Sequence, residues 1–201
     1  MKEWLPAICL IVIFALFQLA GHFVPGWPTG FQPHLALIFC AMAVLRGRQW
    51  WGVILAWLVS WPFLSNLQGY GWSLALLATI TGIACVFGIG AVFRKWRSPL
   101  ALLSGVTLSA LAFYLVTNTF SFFTLTHIYP RSLQGFLEAQ WTGPSLPGFG
   151  PTWVFLRNSV GGGLFFASLF LASGLLERGI EAEADDTEEE SADEPEEAPT
   201  S

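Results

Sequence analysis

Six apolar stretches without a single acidic residue, spread between Trp4 and Leu176, constrain this chain more than any other feature. They cover about 4–24, 33–46, 50–67, 72–93, 99–125 and 153–176. Each is apolar at both odd and even positions, whereas a membrane β-barrel needs segments of about 10 residues that alternate. Helices remain, and a hydrocarbon core of about 30 Å takes roughly 20 apolar residues to cross. The expected fold is therefore an all-α membrane protein, a six-transmembrane-helix bundle over residues 1–176. The stretch 33–46 is the short one: at about 1.5 Å per residue it reaches only ~21 Å. It is either shielded by neighbouring helices or re-entrant.

Charge divides the chain again. Only 11% of residues are charged, against about 25% in soluble domains. Of 14 acidic residues, 12 fall between Glu177 and Glu197. The body up to residue 176 is net +6, and the segment 177–201 is net −11. That segment lacks apolar periodicity and reads as a disordered acidic cytoplasmic tail. At the other end, Met1-Lys2-Glu3 before an apolar run resembles a signal peptide. The run is long enough to span and no A-x-A site follows, so it is read as the first span.

Basic residues give the orientation. Lys2, Arg46, Arg48, Arg94, Lys95 and Arg97 share one side of a six-span arrangement, and only Arg131 and Arg157 fall on the other. The positive-inside rule places the first side, with both termini, in the cytoplasm. The expected location is a bacterial cytoplasmic (inner) membrane, multi-pass, with the lipid bilayer as partner and no nucleic acid. Tryptophans agree: Trp4, Trp50, Trp51 and Trp96 mark inner ends, Trp27, Trp61, Trp72, Trp141 and Trp153 outer ends, and only Trp57 is mid-span. Small residues at four-residue spacing, Ala101/Gly105/Ser109, Ala84/Gly88 and Gly163/Ala167, are candidates for close helix contact. Cys9, Cys40 and Cys85 sit singly in apolar runs and read as packing residues.

No span carries a carboxylate, the usual proton relay or cation ligand of pumps. GxSxG, HExxH and P-loop patterns are also missing, so no enzyme activity and no cofactor are expected. Three histidines, His22, His34 and His127, come from different segments without an i, i+4 pair, which does not suit a metal. Side chains such as Gln32, His34, Asn118, Glu138, Gln140, Arg157 and Asn158 gather in the outer half, and Gln18 lies somewhat deeper. Between His127 and Thr152, Leu133, Phe136, Leu137 and Trp141 follow helical spacing and predict a short amphipathic helix at the outer interface. One reading makes this loop the cap of an outward pocket lined by Asn118, Arg157 and Asn158, with Glu138 as the only outer carboxylate able to pair with Arg157. In the other, these residues satisfy loop backbone and lipid headgroups. Both stand at this point.

The stretch 118–177 resembles a bacterial family of small uncharacterised membrane proteins. The likeness rests on Thr117-Asn118, on Tyr129-Pro130-x-Ser132-Leu133-x-Gly135, and on Phe155-Leu156-Arg157-Asn158 before a Gly-rich helix; Phe31-Gln32-Pro33-His34 adds a weaker match. Such proteins look distantly similar to the S components of energy-coupling-factor transporters. That similarity implies an S-component-like bundle binding a small-molecule solute at the outer face, with energising transporter subunits on separate chains. It would make Asn118, Arg157, Asn158, Glu138 and His34 ligand-binding residues. Ala7, Ala15 and Ala20 do not form the AxxxA-type face by which S components dock. The alternative is a non-catalytic structural or scaffold membrane protein of the cell envelope.

Overall fold

In the computed structural model, residues 5–28, 30–31, 33–45, 49–67, 74–96, 98–144 and 150–192 are described, with side chains except at 5–6, 22, 49, 60–67, 75 and beyond 172. Lys2, Trp4, Gln32, Arg46, Arg48, Trp72 and Arg97, used above, lie outside these residues, as do the side chains of His22 and Trp61. The described residues form seven helices joined by turns, with no strand among them: α1 (Leu5–Phe23), α2 (His34–Val44), α3 (Gln49–Leu67), α4 (Leu74–Phe93), α5 (Pro99–Thr124), α6 (Leu133–Gln140) and α7 (Thr152–Ala192). Three of them contain stretches long and apolar enough to cross a membrane: Leu76–Phe93, Pro99–Thr124 and Thr152–Ala172.

Local chemistry sets the starts. The Ser98 hydroxyl accepts from the Ala101 amide at 3.2 Å, and Pro99 occupies the first helical position of α5; Pro has no amide to leave unsatisfied there. Ser132 caps α6 in the same way, accepting from Gly135 N at 3.1 Å. At the far end, α7 does not stop where the apolar run ends. The segment read as unstructured from 177 is helical to Ala192, and its many Glu and Ala residues are good helix formers.

The short stretch 33–46 becomes α2, the axis of the bundle. Every residue from His34 to Ala43 is buried, and α2 packs on α1, α3, α4, α5 and α7. A helix that is apolar on all sides belongs inside. Its neighbours shield it along its length. Around it α3, α1, α7, α5 and α4 follow one another. Phe39, 0% exposed, fills the centre between α5 and α4. Arg94 donates to Leu45 O at 3.4 Å and ties α4 to the end of α2.

Glycines let the helices approach. A Cβ on Gly105 would meet the Phe39 and Phe93 rings, and one on Gly163 would lie 2.8 Å from Val106 Cγ1. Two of the three expected small-residue stripes thus face neighbours. The α4 stripe is different: Ala84 and Gly88 are exposed, and nothing lies within 4 Å of a Cβ on Gly88. The packed face of α4 is Ala78, Gly82, Val86 and Gly90, with Gly82 against Phe113 and Gly90 against Met42. Spacing identifies both stripes, and only the position of α2 and α5 selects between them.

The outside of the bundle is apolar too. On α1, Ala7, Leu10 and Phe14 face inward, while Ile8, Val12, Leu16, Leu19 and Phe23 are exposed. Water would not tolerate so continuous an apolar surface, and lipid tails do.

Candidate functional site

Residues 24–28 and 30–31, α6 and the first turns of α7 lie towards one end of the bundle, and most of the motifs noted in the sequence have a task in or beside them. Tyr129, 5% exposed, anchors the turn before α6. Pro130 O accepts from Ser132 N at 2.8 Å, and Ser132 caps the helix. Gly135 then crosses that same Pro130 carbonyl so closely that no Cβ fits. In α7, Phe155 presses on Gly30, whose φ of +82° suits only glycine. Ser159, buried, donates to Gly30 O at 3.4 Å. In α5, Thr117 turns its hydroxyl back to Phe113 O at 2.9 Å and lies beside Gly82.

The short helix expected from Leu133, Phe136, Leu137 and Trp141 exists, and of these four only Phe136 turns inward. Its buried residues are Gly135 and Ala139, with Phe136 half-buried against Phe122. Leu133, Leu137 and Trp141 form an exposed ridge. Gly135 sits on the Pro130 carbonyl and Ala139 packs with Phe122 of α5, and the large apolar residues are left for the surroundings.

The five candidate residues do not converge. His34 is buried with its ring 5.7 Å from that of Phe113, inside the bundle. Arg157 is exposed, donates from Nε and Nη2 to Asn158 Oδ1 at 3.2 and 3.1 Å, and lies over the Trp153 ring. Glu138 is half-buried near Tyr129; burial first, and then the Glu138 carboxylate, raise the Tyr129 phenol above its ordinary value. The second outer arginine, Arg131, donates to Phe123 O at 3.0 Å and covers its ring at 5.5 Å.

Asn118 lies in a different setting, the junction of α5 with α6. Gln140, the last residue of α6, is gripped there twice: Tyr114 donates its hydroxyl to Gln140 O, and Gln140 Nε2 donates to Thr119 Oγ1 at 3.1 Å. At about 100° per residue, Asn118 lies ~40° round α5 from Tyr114, and Thr119 ~140°. Asn118 is thus between the two residues that hold Gln140. Its Nδ2 and Gln140 Oε1 are both buried without a hydrogen-bond partner. Tyr114 and Thr119 escaped sequence reasoning, since an aromatic and a threonine inside an apolar run carry no signal of their own. One small cavity is lined by Phe14, Pro33 and Phe166, and a shallow hollow by Ser104, Thr107 and Leu164, neither at this junction.

Among the described residues no three His, Cys, Asp or Glu side chains gather as metal ligands, and Cys9, Cys40 and Cys85 are free. Fold and surface together define an all-helical protein of the membrane type, with three helices able to cross and a polar junction at one end. Residues 1–182 match the model of a family of unknown function, DUF6580, and the chain belongs to that family. Neither a curated protein nor a solved structure matches it.

Proposed function

We propose that the protein crosses the bacterial cytoplasmic membrane six times, with both termini in the cytoplasm, and that its outward end holds a small polar solute for uptake. Energising subunits would be separate chains, as the likeness to S components implies. The observation that carries the reading is the pair of buried, unpartnered polar atoms, Asn118 Nδ2 and Gln140 Oε1. Leaving such a group unsatisfied costs about 1–3 kcal/mol, and a solute bonded to both would remove that cost. The inward end has the basic loops and the helix pair tied by Arg94; the outward end has the polar junction and the α6 ridge, placed at headgroup level.

The test is native mass spectrometry of detergent-purified protein expressed in several media. A retained small molecule that disappears with Asn118→Ala supports the reading, and protein that is ligand-free from every medium removes it. Topology is tested by impermeant thiol labelling of single cysteines at positions 95 and 127. Position 127 should label in intact cells and position 95 only after permeabilisation.

A second reading, a scaffold protein of the cell envelope, draws on the exposed ridge of Leu133, Leu137 and Trp141, a shape that also suits a partner's helix. Photocrosslinking from position 137 decides between lipid and one recurring protein partner.

A further inference from the structure

The charge of the solute can be read from what the charged groups at this end already do. Arg131 is spent on Phe123, through its carbonyl oxygen and its ring. Arg157 is spent on Asn158 Oδ1 and the Trp153 ring, and it is exposed. The hydrogen bonds of the two guanidinium groups go to α5 and α7. Glu138 belongs to the same short helix as Gln140 but acts on Tyr129. What the junction itself leaves open is neutral: one amide donor on α5 and one amide acceptor on α6.

On the reading that this end binds a solute, we propose that the solute is uncharged and carries a paired acceptor and donor, as in a carboxamide, lactam or urea. Its carbonyl accepts from Asn118 Nδ2, and its N–H donates to Gln140 Oε1. An anion would meet the Gln140 acceptor, and a cation would meet the Asn118 N–H donor, so each ion would face one partner of the wrong polarity. Desolvating either ion in such a place is costly. A neutral amide replaces its bonds to water with two bonds to protein.

The same geometry says how the site opens. α6 has eight residues and buries only Gly135 and Ala139 fully. Its hold on α5 includes the two bonds to Gln140, the Phe122–Phe136 ring contact at 5.5 Å and the packing of Ala139 in one cluster with Phe122. Releasing Gln140 separates the two amides and admits the solute between them, so Gln140 is both latch and ligand.

The experiment uses three probes of one shape and different charge, benzamide, benzoate and benzylammonium, on full-length protein in detergent. Binding is followed by saturation-transfer NMR and by the shift in melting temperature. Benzamide should bind at least tenfold more tightly than either ion. Asn118→Leu and Gln140→Met, each checked for folding by gel filtration, should each abolish the benzamide response, and Arg157→Gln should retain it. Tighter binding of benzoate, lost in Arg157→Gln, would overturn the neutral class while leaving a solute-binding protein. Benzamide binding undiminished in both junction variants would overturn the site. If none of the three probes binds and native mass spectrometry finds no retained molecule, the solute-binding reading goes with it.

Discussion

Two glycines of equal composition should respond in opposite ways to the same added methyl group. Gly105 lies where α5 crosses α2, and its Cβ would press on the rings of Phe39 and Phe93, the latter at 2.8 Å. Phe93 is half-buried and can turn a little, but Phe39 is 0% exposed and enclosed on all sides. Gly105→Ala gains about 1 kcal/mol of helix propensity, and overpacking a tight core costs about 1–3 kcal/mol. The net expectation is a loss of ~1–2 kcal/mol, the upper part of that range applying because two rings are involved. Gly88 has nothing within 4 Å of its Cβ position, so Gly88→Ala keeps only the favourable part, about 0.5–1 kcal/mol. For a chain of this size each kcal/mol moves the melting temperature by about 2–4 °C. Thermal unfolding of the purified protein in detergent should therefore separate the variants by roughly 4–10 °C, Gly88→Ala above the parent and Gly105→Ala below. A Gly105→Ala protein that melts at or above the parent would refute the packing of α5 on α2.

Phe39→Ala empties the centre of the bundle and should cost about 3–5 kcal/mol, seen as the largest fall in unfolding midpoint among single core changes. Tyr114→Phe removes the hydroxyl that holds Gln140 O; hydrogen exchange across 133–140 should quicken at a stability cost of about 0.5–1.5 kcal/mol, with the rest of α5 unchanged. Tyr129 titrates above its ordinary value because of burial and then Glu138. Its contribution is complete below the ordinary phenol pKa of about 10 and is lost as pH rises through the folded value. Melting temperatures taken from pH 9 to 11.5 should fall less steeply in Tyr129→Phe than in the parent.

Much of the fold is legible in the chain because the apolar runs are long and their punctuation is local. The stretch 99–125 starts at Pro99 after a capping serine, and α5 is Pro99–Thr124; the spacing of Leu133 and Leu137 places α6 within a residue of its bounds. Faces are harder. In water a large apolar side chain points to the core, but in lipid it is equally content outside, so Leu133, Leu137 and Trp141 did not reveal that Gly135 and Ala139 are the contact. The same degeneracy hid which small stripe of α4 is packed. The candidate site was legible in part: Asn118 stands out as an amide in an apolar run, but Gln140 is held on α5 by Tyr114 and Thr119, a tertiary contact without a sequence period. The end of α7 was missed for another reason, since a run of like charge and a good helix propensity oppose each other in the same residues.

The burial of α2 bears on how such a chain is made. A helix of 11 residues, roughly 17 Å long, cannot satisfy a bilayer of about 30 Å by itself, so it has no stable intermediate as a lone inserted segment. On the proposed six-span topology it would enter beside α1 or α3 and wait for α4, α5 and α7 to surround it. Biogenesis is then cooperative at its centre: a chain truncated before α7 would present α2 to lipid along the side that α7 covers, and quality-control proteases would find it there. On the same proposal, bilayer thickness would be sensed by the outer helices, and the innermost helix would be shaped by its protein neighbours.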